Sequence, residues 1–324
     1  MGRRPYHGVG QMVGRAEVLD RRPDLESCWE PVDSSFPVRI TRSFARRSDL
    51  SDPLDPLAIQ VLPDPRELEE EGLDDPVGEK KRVPMPWLVR KYEDRALLLL
   101  TKRCHLYCRY CFRRTHKPGE KLDPSEDEMN AALQWLGSCS GLREVILSGG
   151  DPLILTDTKL FSVIDRVLGL GLRVRIHSRA PITYPRRVTA ELAAGLARRG
   201  VWLVVHCNHP GELAPDVDEA LEILVDGGVP VLNQTVLLRG VNDDPAVLVE
   251  LFEGLVRRRV RPYYLHHPDA VRGNAHFRVP IGRGLEIMDE VRKQLGGVAL
   301  PRYVIDPASG EGKRDVSIGE STKV

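Results

Sequence analysis

What the chain lacks narrows its class first. No apolar run exceeds five residues, as at 96–100. A membrane helix needs about 20, so no spanning segment and no membrane partner are expected. Charge of either sign is not in excess, with Lys plus Arg at 47 and Asp plus Glu at 47. Such a chain has no global field to draw it onto nucleic acid, so a nucleic-acid partner is not expected. The opening MGRRPYHGVG is basic but no apolar stretch follows it, which argues against a secretory signal. Tyr6 stands where a myristoylation signal wants Ser or Thr. The cytoplasm is the expected compartment. Cysteines are few, six in all, and three of them fall within eight residues. A disulfide framework spreads its cysteines along a small secreted chain, so this cluster reads as metal or redox chemistry.

What is present is a foldable chain. Its 324 residues are 41% apolar, enough for a sizeable core. The first 90 residues hold 11 of the 25 prolines, a basic stretch (Arg39, Arg42, Arg46, Arg47) and an acidic one (Glu67, Glu69, Glu70, Glu71, Asp74, Asp75). That composition predicts short helices joined by irregular segments, with the charge runs as solvated faces. From about residue 95 short apolar runs alternate with amphipathic stretches. Strands are expected at 96–101, 143–148, 172–177, 201–206, 229–238 and 260–267, with another extended piece at 299–306. Helices such as DEMNAALQWLG, DTKLFSVIDRVLGL and AELAAGLARRG lie between them. This alternation means βαβ units and a buried parallel sheet, either barrel-like or doubly wound. Polar residues collect at the strand ends, where such folds place chemistry: Cys104, the SGGD segment, His177, His206, His266, His267 and Asp269.

Cys104-x3-Cys108-x2-Cys111 follows the first of these strands. Three thiolates leave one iron of a four-iron cluster open for chemistry, whereas zinc would need a fourth ligand such as His105 or His116. The spacing resembles the signature of radical S-adenosylmethionine enzymes. That resemblance implies a [4Fe-4S] cluster whose open iron takes S-adenosyl-L-methionine, with Tyr110 as the aromatic beside the last cysteine. It makes Ser148, Gly149, Gly150 and Asp151 the glycine motif that binds S-adenosylmethionine. It also implies an α/β fold, a partial parallel (β/α)6 TIM-like barrel with a mostly helical N-terminal extension.

The resemblance narrows further along the chain. CRYCFRRTH, LSGGDPLILTD, HSRAPITYPRRVT, HCNHPGE, LNQTVLLRGVNDD, PYYLHHPDAVRGNAHFR and VIDPASGEGK, spread over about residues 36–315, are similar to the lysine 2,3-aminomutase family. The division this implies is an extension at 1–90, a radical core at 91–298 and a C-terminal segment at 299–324. The family also uses pyridoxal 5′-phosphate, which the resemblance assigns to Lys313 at the end of a Gly-rich loop. It gives Arg113 the substrate carboxylate, Asp269 and Asp306 the distal ammonium of lysine, and His206 and Gln234 supporting places beside the cofactors. The implied activity is an isomerase interconverting L-lysine and β-lysine by a 1,2-amino shift, fed electrons by a donor such as flavodoxin or ferredoxin. FPVRITRSFARR and CFRR resemble the shorter members that make β-lysine for elongation factor P, while ASGEGK is closer to the fermentative type, so the pathway stays open. Two other readings stand beside this one. The first is the same chemistry on arginine, ornithine or glutamate, although glutamate would not want two carboxylates facing its side chain. The second is a non-catalytic iron–sulfur or zinc-binding module.

Overall fold

The alternation in the sequence is realised strand by strand. A computed structural model describes residues 12–114 and 120–317, so the opening MGRRPYHGVG and His116 lie outside the described residues. The chain begins with β1 (Met12–Val13), α1 (Arg15–Leu19), α2 (Glu26–Ser35), β2 (Ile40–Thr41) and α3 (Arg42–Ala45). β1 and β2 form an antiparallel ribbon, an element the proline-rich composition did not announce. Single 3-10 turns follow at 58–60, 65–68 and 80–82. Pro65 opens one of them, where its missing N–H costs nothing. β3 (Leu88–Val89) then joins the edge of the main sheet.

The core runs β4 (Arg95–Thr101), α4 (Glu126–Ser138), β5 (Glu144–Gly149), α5 (Asp157–Gly169), β6 (Arg173–His177), α6 (Ala180–Thr183), α7 (Ala190–Arg198), β7 (Trp202–His206), α8 (Pro215–Asp226), β8 (Val231–Val236), α9 (Pro245–Arg257), β9 (Arg261–His266), α10 (Ile281–Gln294), β10 (Arg302–Ile305) and β11 (Arg314–Asp315). Strands β4 to β10 pair in parallel and in strict chain order. β3 and β11 close the two edges antiparallel. That order decides between the two architectures. A doubly wound sheet reverses its strand order partway, whereas right-handed crossovers in unbroken order put every helix on one face and curl the sheet. Among the described strands β3 and β11 do not meet, so the barrel is partial.

Local chemistry sets the helix starts. Ser125 caps α4 in a capping box with Glu128, Thr156 caps α5, Thr189 caps α7 and Asp244 caps α9. Each helix buries one stripe, as α5 does with Leu160, Ile164 and Val167. A second core belongs to the N-terminal extension: Val18, Trp29, Val32, Ile40, Phe44, Leu57 and Val61 pack together with Leu106. Leu106 lies between Cys104 and Cys108, so the extension packs against the cysteine loop. Burying such a side chain contributes about 1.5–3 kcal/mol, which ties the loop's order to the extension.

The charge runs need a correction. Glu69, Glu70 and Asp74 are exposed as expected, but Glu67 is buried and ion-pairs with Arg109 and Arg114 of the cysteine loop. Arg47 is also largely enclosed, donating to the carbonyls of Ile182 and Glu212 at 2.7 and 2.8 Å. A run of charges looks solvated in sequence because nothing local shows which member meets a buried partner.

Candidate active site

The site is built at the C-terminal ends of the parallel strands. β4 delivers the cysteine loop, and the glycine motif at the end of β5 docks against it. A Cβ on Gly149, whose φ is +120°, would lie 2.2 Å from the Thr101 carbonyl, and one on Gly150 would lie 2.2 Å from the Arg103 carbonyl. The amides of Gly150 and Asp151 donate to those same carbonyls at 2.7 and 2.8 Å. Only glycine permits that approach. Asp151 is buried and fully occupied: it accepts from the amides of Leu153, Arg179 and Ala180 at 2.9, 3.0 and 3.0 Å and from the Ser178 hydroxyl at 2.7 Å. It ties the ends of β5 and β6 together.

Burial raises the Cys104 and Cys111 thiols, Cys111 to about 11, and the neighbouring cysteines add to both shifts. The Cys104 and Cys111 thiols resist ionisation unless cations sit among them. Among the described residues no three His, Cys, Asp or Glu side chains are placed to grip a single metal ion. Three cysteines on one loop leave one iron of a four-iron cluster open, whereas a structural zinc takes four protein ligands. The donor set therefore fits a four-iron cluster better than zinc.

Cys108 carries a contact that the sequence did not announce. Arg179, two residues past β6, donates Nη1–H to its Sγ at 2.8 Å. Beside it, the Tyr110 hydroxyl lies 3.3 Å from His206 Nε2 at the end of β7, and Asn208 Oδ1 lies 3.1 Å from the same nitrogen. Burial, with Arg179 adding to it, lowers His206 to about 3, so its ring is neutral. Gln234 on β8 is the register partner of His206.

The far side of the mouth holds the lysine. The loop between β10 and β11 packs so closely on the extension that a Cβ on Gly78 would lie 2.6 Å from the Ala308 carbonyl. Gly312, at φ +97°, lies against the ring of Tyr92, whose hydroxyl accepts from the Lys313 amide at 2.5 Å. Lys313 Nζ reaches Asp306 Oδ2 at 3.3 Å. The other oxygen of Asp306 holds Lys91 Nζ at 2.9 Å. Asp269 is pushed up to about 7 by burial and then by Asp306, with Lys313 and Lys91 opposing. Arg113 gives Glu79 its Nε and Nη2, at 3.1 and 2.5 Å, and turns Nη1 to the Ser148 hydroxyl at 3.4 Å. Arg113 feels both Cys111 and Asp269, so it bridges the cysteine and aspartate sides. His177 and His266, at the ends of β6 and β9, are held neutral by burial, each with Lys313 adding to the shift.

The fold places Lys313, Asp306, Asp269, Arg113 and the cysteines, all named from the sequence, around one mouth. Sequence reasoning missed Lys91, Tyr92, Glu79 and Arg179. Arg179 stands inside the HSRAP block and Lys91 just ahead of β4, but Glu79 sits in a charged stretch with no mark of its own.

Comparison with known proteins follows the same lines. Residues 98–252 match the model of the Radical SAM superfamily. The chain is 39% identical over 284 residues to the L-lysine 2,3-aminomutase of Fusobacterium nucleatum, covering 86% of this chain and 67% of that protein. It is 38% identical over 287 residues to the L-lysine 2,3-aminomutase of Clostridium subterminale, covering 87% and 69%. It is also 33% identical over 286 residues to the glutamate 2,3-aminomutase of Clostridioides difficile, covering 87% and 68%. Strand order, cysteine loop and these likenesses agree that the chain is an isomerase and belongs to the lysine 2,3-aminomutase family of radical S-adenosylmethionine enzymes.

Proposed function

We propose that this protein is a pyridoxal-phosphate-dependent 2,3-aminomutase that interconverts L-lysine and β-lysine, in the cytoplasm, with a low-potential donor such as flavodoxin or ferredoxin. The observation that carries the reading is the pairing of Lys313 with Asp306, 3.3 Å apart, with Asp269 in the same field. A cofactor lysine and two half-buried carboxylates at one mouth suit a substrate with a second, distal cation.

Each residue then has a task. Cys104, Cys108 and Cys111 hold the cluster, and the strand ends at Ser148, Gly149, Gly150, His206 and Gln234 face S-adenosylmethionine. Asp151 positions that motif rather than touching the ligand, since its oxygens are already taken. When bound, the cluster with S-adenosylmethionine supplies a hydrogen-abstracting radical, and pyridoxal phosphate supplies an electron-accepting ring. Lys313 carries the pyridoxal on a loop hinged at Gly310 and Gly312. Arg113 keeps one edge on Glu79 and offers its Nη1 edge to the substrate carboxylate, which a guanidinium fork can hold beside the first. Asp269 and Asp306 take the distal ammonium, an ion that needs paired anions once desolvated. The extension and the Lys313 loop exclude water from the mouth.

One observation favours a second reading. Lys91, almost wholly buried, already neutralises part of Asp306, and a cation there would suit the side-chain carboxylate of glutamate. An anaerobic assay of the reconstituted enzyme against lysine, ornithine, arginine and glutamate separates the two. Lysine turnover should lead, and Asp269→Asn and Asp306→Asn should each cut it by orders of magnitude while the pyridoxal absorption band persists. Preference for glutamate, or lysine turnover that survives both changes, overturns the reading.

A further inference from the structure

The guanidinium of Arg179 is split between two kinds of partner. Nη2 donates to Glu212 Oε2 at 3.0 Å and to Gln60 Oε1 at 2.7 Å, while Nη1 donates to the sulfur of Cys108 at 2.8 Å. Glu212 is fully buried and cannot swing away. It is gripped by the amides of Asn208 and His209 at 3.1 and 3.2 Å and by Gln60 Nε2 at 3.2 Å. The Arg179 backbone is pinned as well, its amide on Asp151 at 3.0 Å. The rings of Phe44 and Tyr110 each lie 5.4 Å from the guanidinium carbon. The fork of Arg179 is not closed on Glu212 alone. Half of it is aimed at a thiol that the cluster needs.

We propose that Arg179 is a positioning residue that sets the reduction potential of the cluster by donating a hydrogen bond to the Cys108 sulfur. The inference rests on the reading that Cys108 ligates a four-iron cluster. Reduction adds one negative charge to the iron–sulfur unit. A fixed cation and an N–H donor at a ligating sulfur stabilise that charge, and they do so the more because the guanidinium is buried. Arg179 therefore raises the potential, which eases electron entry from the donor. Glu212 works in the opposite direction, since its negative charge partly offsets the guanidinium. Gln60 belongs to the N-terminal extension, and its carbonyl also accepts the Arg109 amide at 2.8 Å, so the extension reaches the electronics of the cluster through this fork.

The test uses the full chain reconstituted anaerobically with iron and sulfide, as wild type, Arg179→Met and Glu212→Gln. Iron and sulfide content is measured first. The reduced cluster is then followed by electron paramagnetic resonance across a redox titration. Arg179→Met should lower the reduced-to-oxidised ratio at fixed potential at least tenfold, a shift of about 59 mV for one electron. Glu212→Gln should move the potential the other way, which general loosening of the site would not do. Full clusters with wild-type potentials in both variants overturn the proposal. If Arg179→Met binds no iron, Glu212→Gln decides alone, and a potential at or below wild type overturns it. A wild-type chain that binds no cluster overturns the underlying reading and this inference with it.

Discussion

Asp269 should make lysine binding depend on pH in a direction fixed by its surroundings. Its carboxyl is raised to about 7 by burial first and by Asp306 second, against the opposing fields of Lys313 and Lys91 and a small addition from Glu79. A carboxyl with a raised folded-state value is neutral in the folded protein when the unfolded chain has already lost the proton. Its burial costs nothing below about pH 4, costs more as pH rises to 7, and is constant above that. The difference from an ordinary aspartate is about three units, so the cost reaches at most about 4 kcal/mol. The group is only half-buried, and solvent reduces this to about 2 kcal/mol. Bound lysine reverses the preference, because its distal ammonium favours the ionised form. Binding then releases a proton wherever free Asp269 is neutral. The apparent Kd for lysine should fall about tenfold per pH unit from 5 to 7 and level off above. Calorimetry of the pyridoxal-loaded enzyme without S-adenosylmethionine, in buffers of different ionisation heat, reads both the affinity and the proton. Asp269→Asn should bind weakly with no such slope, and its unloaded form should be more stable than wild type at pH 8. Affinity flat from pH 5 to 8, or a slope retained in the variant, would refute the reasoning.

Other outcomes follow from the same geometry. Cys111→Ala should lose the four-iron absorption and cleavage of S-adenosylmethionine, while Cys28→Ser and Cys139→Ser should keep both, as iron analysis and product chromatography will show. Borohydride reduction of the pyridoxal-loaded enzyme followed by peptide mapping should place the adduct on Lys313, and an adduct on Lys91 instead would reassign the loop. Gly312→Ala puts a methyl 2.6 Å from the Tyr92 ring at φ +97°, a strain of about 1–3 kcal/mol, and should reduce adduct yield at Lys313 far more than it lowers the unfolding midpoint. Glu67→Gln leaves Arg109 and Arg114 without their shared carboxylate and should cost about 3–5 kcal/mol in denaturant unfolding, with an unchanged midpoint as the contrary result.

The sheet was legible because its strands are short apolar runs and its helices carry one apolar stripe, both local patterns. The strand expected at 96–101 spans 95–101, and the one expected at 143–148 spans 144–149. The strand sought at 229–238 is shorter, 231–236, with Val229 and Leu237 buried in the segments that flank it. The choice between barrel and doubly wound sheet was not legible in the strand and helix pattern, since strand order is a long-range property; it came from the resemblance to radical S-adenosylmethionine enzymes, and the observed order agrees.

The site divides in the same way. Cysteines at fixed spacing and a lysine behind glycines are marks that a single segment can carry. Glu79, Lys91 and Arg179 carry no such mark, because each owes its meaning to a partner far away in the chain: Glu79 to Arg113, Lys91 to Asp306, Arg179 to Cys108. All three are ions set against other ions of the mouth, and all three change its charge. On the proposed reading, Glu79 gives Arg113 a carboxylate beside the substrate's carboxylate, and Lys91 gives Asp306 an ammonium beside the substrate's ammonium. Each is a group of the same kind as the substrate group it would sit beside. Two buried charges left unmatched in the unliganded protein would cost several kcal/mol apiece, so a mouth built for a doubly charged amino acid needs such internal partners to fold at all. On that reading, substrate selectivity is the difference between what the amino acid offers Arg113 and Asp306 and what Glu79 and Lys91 already give them.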